Sequence, residues 1–117
     1  MSALRLPYPP TPDRLWSMQG GRIVRSSAYR DWIETVRMAI RAAAHPVVLG
    51  RFMLSVTAHR PTDDLRERDL ESLLTPLNAA LTAAGLVGDD SLAERIVVRW
   101  ARGAAPGGRL EVEARSA

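Results

Sequence analysis

Four carboxylates in two short stretches are the residues of this sequence that best suit a chemical role. Asp69 and Glu71 stand two positions apart, and Asp89 and Asp90 are adjacent further along the chain. If the first stretch is extended, both of its carboxylates lie on the same side of the chain. Together with a carboxylate from the second stretch they would supply hard oxygen donors of the kind that Mg²⁺ prefers. Such an ion can polarise a phosphodiester and activate water.

The same acids also have purely structural interpretations. Acidic side chains are favoured near helix N-termini, and the stretch from Asp64 to Glu67 has the spacing of a capping box. The stretch Asp89, Asp90 and Ser91 is equally typical of a plain turn or of the N-cap of the next element. Spacing alone therefore leaves a metal site and a set of solvated acids both open.

Composition restricts the class of protein and the class of site. The chain has 117 residues, 46% of them hydrophobic and 25% charged, which predicts one folded domain over residues 1–117. There is no cysteine, which excludes disulfides, thiolate zinc sites and cysteine nucleophiles, and with two histidines we do not expect a His-rich metal site. No apolar run has the length of a membrane span or the form of a signal peptide, so we expect a cytoplasmic protein with no membrane partner.

Charge is unevenly distributed along the chain. Residues 1–60 contain nine Arg and three acids, residues 61–94 contain two Arg and eight acids, and residues 95–117 contain five Arg and two acids. An acidic middle between basic ends suits a metal-dependent nuclease, because Arg attracts the polyanion while carboxylates hold the cation. A general bias toward Arg in the genome would also explain why no Lys is present, although it would not explain the segregation.

Hydrophobic periodicity predicts two helices and four strands in one α/β or α+β domain. Their order is β-α-β-α-β-β, which places two helices on a mixed sheet. The predicted elements are a strand at Leu4–Leu6, a helix at Tyr29–Ala44 capped by Ser26 or Ser27, a strand within Val47–His59, a second helix that ends near Gly85, and strands at Ile96–Trp100 and Leu110–Ala114.

Pro76 sets the expected start of the second helix. Proline is accepted within the first helical turn, where backbone amides have no partner, so the helix should begin near Ser72 or later. Asp69 and Glu71 would then precede it on extended chain, with both carboxylates on the same side.

Three stretches of the chain carry a resemblance to a known family. Together they resemble the signature R-D-x-D-N-L-x-K, a helix that ends D-x-L-x-x-A-G, and a D-D pair before a basic strand, which is typical of the RusA family of Holliday-junction resolvases. The stretches are Arg68–Leu73, Leu77–Gly85 and Asp89–Ser91, and further similarity lies at Leu6–Pro10, Gly21–Arg22, Ser27–Trp32 and Gly107–Leu110.

The resemblance implies a magnesium-dependent endodeoxyribonuclease that resolves four-way junctions in DNA recombination and repair. It implies a homodimer with one Mg²⁺ per subunit, for which Mn²⁺ can substitute, paired symmetric nicks in branched DNA, and often a phage or prophage origin. By position, the metal-binding and catalytic acids of the family fall on Asp69, Glu71 and Asp90, with Asp89 close by and Arg68 suited to a phosphate.

Three positions depart from the pattern of that family. Glu71 stands where the family has Asp, Ser72 replaces Asn, and Thr75 replaces a functional Lys. A longer carboxylate shifts a metal ligand, and the loss of Lys removes a cation that stabilises developing phosphate charge. The alternative hypothesis is therefore a weakened protein that binds branched DNA without cleaving it, unless a neighbour such as Arg66 replaces the missing cation.

Other residues are candidates for contacts with DNA. Arg22, Arg25 and Arg30 are predicted phosphate contacts, with a solvated face as the equal alternative. Trp16, placed in a proline-rich N-terminal loop, is a candidate for stacking on a base or for a dimer contact. Trp32 and Trp100 could also stack on bases, but their spacing favours core positions. His59 could shuttle protons near the acidic segment, but a histidine at a strand end is more often a hydrogen-bonded surface residue. A third hypothesis, a protein-binding adaptor that uses the acidic segment, predicts no affinity for DNA junctions.

Overall fold

The computed structural model describes residues 3–64 and 68–117. It confirms an α+β domain in which two helices pack on a mixed sheet. The strands are β1 (Leu4–Pro7), β2 (Trp16–Gln19), β3 (Arg22–Arg25), β4 (Phe52–His59), β5 (Ala93–Trp100) and β6 (Arg109–Ser116). The helices are α1 (Ser27–Ala43) and α2 (Glu71–Ala83), and single 3-10 turns lie at Pro12–Arg14 and Asp90–Leu92.

The main sheet has the order β1-β6-β4-β5, in which only the β4–β5 pair is parallel. β4 is the central strand, and its alternating residues Phe52, Leu54, Val56 and Ala58 are buried beneath the helices, as the sequence predicted. The strand begins at Phe52 rather than nearer Val47. β5 lies at an edge of the sheet, where it pairs with β4 alone.

Helix α1 begins two residues before the predicted Tyr29 and packs on β1 and α2. Ser26 is its N-cap: its Oγ accepts a hydrogen bond from the Tyr29 amide at 3.1 Å and donates one to the carbonyl of Arg14 at 2.6 Å. Trp32, Val36 and Ile40 of the predicted apolar face are buried, whereas Ala43 at the end of the helix is exposed. The helix start is therefore joined to the chain that precedes the β2–β3 hairpin.

Helix α2 corrects one sequence prediction. It begins at Glu71, after Leu70 in helical conformation, and Pro76 lies inside it rather than in the first turn. Proline cannot donate a hydrogen bond to the carbonyl four residues earlier, which here belongs to Ser72. The predicted extended conformation of Asp69–Glu71 is therefore wrong, because Leu70 already has helical dihedral angles.

The end of α2 agrees with the prediction for Gly85. Gly85 has a φ of +73° and donates a hydrogen bond to the carbonyl of Thr82, while the Leu86 amide donates to the carbonyl of Leu81. These two bonds form a Schellman motif, in which glycine is preferred because the left-handed conformation disfavours a Cβ. The chain then turns toward Asp89 and Asp90.

A second, two-stranded sheet was not predicted. β2 and β3 form an antiparallel hairpin around Gly20 and Gly21, both of which have positive φ. Two short runs separated by Gly-Gly are a hairpin signal, so the sequence contained the information. No helix in the described ranges 3–64 and 68–117 is long and apolar enough to cross a membrane.

Candidate functional site

Two surface cavities contain most of the residues that the sequence singled out. The proline-loop cavity encloses about 350 Å³, and its walls include Tyr8, Thr11, Pro61, Arg68, Asp69 and Ser72. The hairpin cavity encloses about 510 Å³ between the β2–β3 hairpin and α2, and its walls include Trp16, Arg25, Tyr29, Thr75, Asn78, Asp89 and Asp90. Each cavity therefore contains carboxylates and an arginine.

Arg68 joins the proline-rich loop to helix α2. Its Nη1 and Nη2 atoms donate hydrogen bonds to the carbonyls of Pro9 and Pro10, at 3.0 and 2.7 Å. Its Nε donates to Ser72 Oγ at 2.9 Å, and Nη2 also donates to the Ser72 carbonyl at 3.3 Å. The guanidinium therefore donates a hydrogen bond to the Ser72 carbonyl, which has no helical partner because Pro76 has no amide hydrogen.

Burial lowers the pKa of Arg68, an effect that Tyr8 and Asp13 oppose. The guanidinium also lies over the Tyr8 ring, 5.3 Å from its centroid. Since most of its donors already bind protein acceptors, the structure gives Arg68 a positioning role in the loop. Its predicted contact with a DNA phosphate stays a prediction.

Asp69 and Glu71 occupy the start of α2. The Asp69 carbonyl accepts hydrogen bonds from the Ser72 amide at 3.1 Å and from Ser72 Oγ at 2.6 Å, and its exposed side chain lines the proline-loop cavity. Glu71 is exposed and lines neither cavity. The helical conformation of the intervening residue, and not an extended strand, determines the directions of these two side chains.

Asp89 and Asp90 lie together at the hairpin cavity. Asp89 Oδ1 accepts a hydrogen bond from the Ser91 amide at 2.9 Å, which confirms the N-cap interpretation of this stretch. That amide bond is the main reason why the pKa of Asp89 is lowered. A hydrogen bond shared with Asp89 is the main reason why the pKa of Asp90 is raised. The two carboxyl groups therefore interact directly while remaining exposed.

The predicted metal ligands do not surround one point in the structure. Within residues 3–64 and 68–117, no group of three or more Asp, Glu or His residues lies close enough together to hold a metal ion. Asp69 lines one cavity, whereas Asp89 and Asp90 line the other. The donor types suit Mg²⁺, but their arrangement here does not form a coordination site. The assignment of Asp69, Glu71 and Asp90 to a metal stays a prediction.

The hairpin cavity contains residues that the sequence did not place together. Trp16 belongs to β2, not to a proline-rich loop, and its ring meets the Tyr29 ring edge-to-face at 5.7 Å between centroids. The guanidinium of Arg25 lies 5.2 Å from the same Tyr29 ring. Burial raises the pKa of Tyr29, against the opposing effect of Arg25. Thr75, where the resemblance leads one to expect Lys, lines this cavity beside Asp89 and Asp90.

The remaining candidates lie elsewhere. Arg22 and Arg30 are exposed on β3 and α1, whereas Arg66 lies outside the described residues.

The two tryptophans that were predicted to lie in the core differ in how far they are buried. Trp32 is buried and its Nε1 donates to the Pro7 carbonyl at 3.1 Å, while Trp100 is partly buried beneath the guanidinium of Arg60, 4.0 Å from the ring centroid.

His59 has a partner of its own at the end of β4. Its Nε2 is buried and lies 3.2 Å from Glu111 Oε1, although at an angle unsuited to a hydrogen bond. Glu111 also contacts Arg109 Nε at 3.3 Å. The histidine thus belongs to a small polar cluster on β4 and β6.

Comparison with known proteins connects these residues to a family. No family model matches the chain. The chain is 32% identical over 110 residues to the crossover junction endodeoxyribonuclease RusA of Enterobacteria phage HK97, covering 92% of this chain and 88% of that protein. A relationship over nearly the full length of both chains leads to one conclusion: this protein belongs to the RusA family of crossover junction endodeoxyribonucleases.

Proposed function

We propose that the protein is an endonuclease that nicks branched DNA at four-way junctions. The observation that carries the proposal is its 32% identity, over 92% of its length, to a phage crossover junction endodeoxyribonuclease. Such coverage includes both acidic stretches and the β2–β3 hairpin. The proposal extends the action named for that relative to this chain.

The charge distribution supports DNA as the partner. Arg22 and Arg25 lie on an exposed hairpin, and Arg30 is exposed on the helix that follows it. Exposed arginines are free to bind phosphates, which contribute most of the affinity of proteins for DNA and make it depend on salt. We expect junction binding to weaken steeply as the salt concentration rises.

Mg²⁺ is the proposed cofactor, with Mn²⁺ as a substitute. The support is chemical: the acids of both stretches are hard oxygen donors, and the chain has no cysteine to bind a softer metal. Asp69, Glu71 and Asp90 are the proposed ligands and Asp89 a neighbour, by their positions in the family pattern. Because Asp69 lines the proline-loop cavity, Asp89 and Asp90 line the hairpin cavity and Glu71 lines neither, direct measurement of Mn²⁺ binding is part of the test.

The decisive experiment is cleavage of a synthetic four-way junction by the purified protein. We expect paired nicks with Mg²⁺ or Mn²⁺ and none with a chelator. Asp69→Asn and Asp90→Asn should each reduce nicking at least about 100-fold, because each removes a charged donor. Glu94→Gln is the matched control, since Glu94 is an exposed acid on β5 outside both cavities. Junction cleavage that survives both Asn substitutions would exclude these acids as catalytic residues.

A homodimer is part of the proposal. A two-fold symmetric enzyme presents two identical sites to a junction whose strands are related by a similar symmetry. Sedimentation of the protein alone and with junction DNA measures the stoichiometry. We expect a dimer in both cases, and a monomer bound to the junction would contradict paired nicking by two subunits.

A second candidate function is binding of branched DNA without cleavage. The neutral Thr75 favours it, because Thr75 lines the hairpin cavity at the position where the family pattern has Lys. The variant with Glu71→Asp and Thr75→Lys tests it. A large gain in nicking would identify a weakened enzyme. If wild-type protein cleaves efficiently, the second candidate is excluded, and if it binds no junction even at low salt, both candidates fail.

A further inference from the structure

One face of the β2–β3 hairpin is continuous with the hairpin cavity. Trp16 pairs with Arg25 and Met18 pairs with Ile23, and directly opposed residues of an antiparallel pair lie on the same face. Trp16, Met18 and Ile23 are 49%, 67% and 72% exposed. Arg22 lies on the opposite face of the same strand. Trp16 and Arg25 of this face therefore line the cavity, and Met18 and Ile23 extend the same face beyond it.

Trp16 is held in position although it is half exposed. Its ring makes an edge-to-face contact with Tyr29 at an interplanar angle of 89°, and Tyr29 is itself buried at the start of α1. An aromatic ring fixed in this way can stack on a planar ligand with little further loss of side-chain entropy. Arg25 is an exposed residue whose guanidinium lies over the same Tyr29 ring, and it pairs with Trp16 across the hairpin.

The opposite wall leaves room for a ligand of nucleotide size. It is formed by α2, where Ala79, Thr82 and Ala83 are small and Asn78 carries an amide group. A volume of about 510 Å³ is within the range of pockets that hold small molecules. An amide can donate to and accept from the edge of a base. Small residues on one wall and an aromatic ring on the other suit a flat group between them.

Charge determines which way a nucleotide would lie. Asp89 and Asp90 repel a phosphate from their part of the cavity, and Arg25 is the basic residue among the described lining residues. A phosphate would therefore bind on the hairpin side, at Arg25, with its base directed between Trp16 and α2. The cation and the aromatic ring thus belong to the hairpin wall of the cavity, and the amide of Asn78 belongs to the α2 wall.

We propose that the hairpin cavity receives one unpaired nucleotide of branched DNA, with the base stacked on Trp16 and the phosphate bound by Arg25. The identity of the substrate as branched DNA rests on the proposed function. Stacking on an aromatic side chain needs a base that has left the double helix, as happens where pairing is interrupted. The cavity would then distinguish DNA that has an unpaired base from fully paired DNA of the same charge.

The test compares two linear duplexes that differ by one bulged nucleotide. Wild-type protein should bind the bulged duplex more tightly than the fully paired one, by about 5- to 100-fold. Trp16→Ala should abolish this preference, and Trp16→Phe should keep most of it. Met18→Ala is the matched control, because Met18 is exposed on the same face but does not line the cavity. A loss of tryptophan fluorescence that occurs when wild-type protein binds the bulged duplex, and not when Trp16→Phe does, gives a second readout.

Two arginines of β3 provide a control for charge. Arg25→Gln and Arg22→Gln remove the same charge from opposite faces of one strand. Both should weaken binding to paired duplex to a similar degree, but only Arg25→Gln should reduce the preference for the bulge. Equal effects on the preference would show that net charge, and not the cavity, carries it, and would overturn the proposal.

The outcomes separate this proposal from the proposed function. A wild-type protein that nicks four-way junctions but shows no preference for the bulge, or keeps it after Trp16→Ala, refutes the nucleotide cavity alone. A preference for the bulge without junction nicking refutes the nuclease and supports the cavity. If Trp16→Ala and Met18→Ala instead convert a dimer to a monomer and leave the preference unchanged, this face binds a second copy and the proposal fails.

Discussion

The proline-loop cavity and the hairpin cavity each place an arginine beside an aromatic ring, but the two arginines have different surroundings. Arg68 lies partly buried against Tyr8 and donates hydrogen bonds to Pro9, Pro10 and Ser72. Arg25 is exposed and contacts Tyr29. A guanidinium whose donors already have protein acceptors stabilises the fold, whereas an exposed one is available to a ligand.

The comparison changes the roles that sequence alone suggested. The sequence placed Arg68 first among the DNA contacts and treated Arg25 as one of several surface candidates. The structure gives Arg68 a structural task and places Arg25 in a cavity with Trp16, Asp89 and Asp90. Both residues are arginines, so the difference between a structural role and an available ligand contact comes from their burial and their hydrogen bonds.

The largest effect on stability is expected from Arg68→Ala. Loss of the bonds to Pro9, Pro10 and Ser72 should lower the free energy of unfolding by about 4–5 kcal/mol, since three acceptor residues lose a charged donor and each such bond contributes about 1.5–3 kcal/mol. Arg25→Ala should change it by less than about 0.5 kcal/mol. Urea denaturation of both variants measures the difference. Equal effects would remove the distinction between the two arginines.

Gly108 tests how tightly the proline loop is packed. A Cβ at this position would lie 2.8 Å from Tyr8 Cγ and 2.9 Å from Pro61 Cγ, whereas a Cβ at Gly107 would meet nothing within 4 Å. Both glycines have φ near +70°. Gly107→Ala should therefore cost about 1 kcal/mol from backbone strain, and Gly108→Ala about 2 kcal/mol more from overlap. Thermal unfolding of the two variants separates the cost of backbone strain from the cost of steric overlap. A similar melting temperature for both would show that Tyr8 and Pro61 can move away from the added Cβ.

Trp16→Ala should have a smaller effect on stability, about 1 kcal/mol, because it removes one edge-to-face contact with Tyr29 from a half-exposed position. Its effect on the binding of bulged DNA should be larger than its effect on folding. Urea denaturation and DNA binding of the same preparation compare the two. A loss of several kcal/mol would instead make Trp16 part of the core.

The smallest effect is expected at Asp90, and it should depend on pH. Because the hydrogen bond shared with Asp89 raises the pKa of Asp90 in the folded state, protonated Asp90 stabilises the fold and that contribution disappears as the pH rises through the folded pKa. Asp90→Asn should therefore increase the melting temperature slightly at neutral pH and leave it unchanged at a pH low enough to protonate Asp90 in both the folded and the unfolded state. High salt should reduce the difference. Glu94→Gln is the control, and a constant difference at every pH would contradict the interaction with Asp89.

Local patterns predicted much of the framework. The spacing of Trp32, Val36 and Ile40 indicated α1, and the alternation from Phe52 to Ala58 indicated β4. These predictions succeeded because a buried face imposes its period directly on the sequence. The hairpin was missed although Gly20-Gly21 marked its turn, because its strands are exposed and show no buried face.

The site was less predictable than the framework. The start of α2 was misplaced because Pro76 was assumed to lie in the first turn, and the direction of Asp69 and Glu71 followed from that assumption. The structure permits Pro76 further inside the helix, with Arg68 donating to the carbonyl of Ser72. A side chain that compensates for a proline cannot be recognised from local spacing.

The amino-acid sequence by itself determined the α+β class, the helix and strand periods, an N-cap at Ser26 or Ser27 and the resemblance to the family. Only the tertiary structure decided which arginine is held by the fold and which acids share a cavity. The reason is that these contacts join residues far apart in the sequence: Arg68 donates a hydrogen bond to Pro9, which lies 59 positions earlier. Periodicity reports the neighbours within an element, whereas burial and hydrogen bonding depend on segments that meet only after folding.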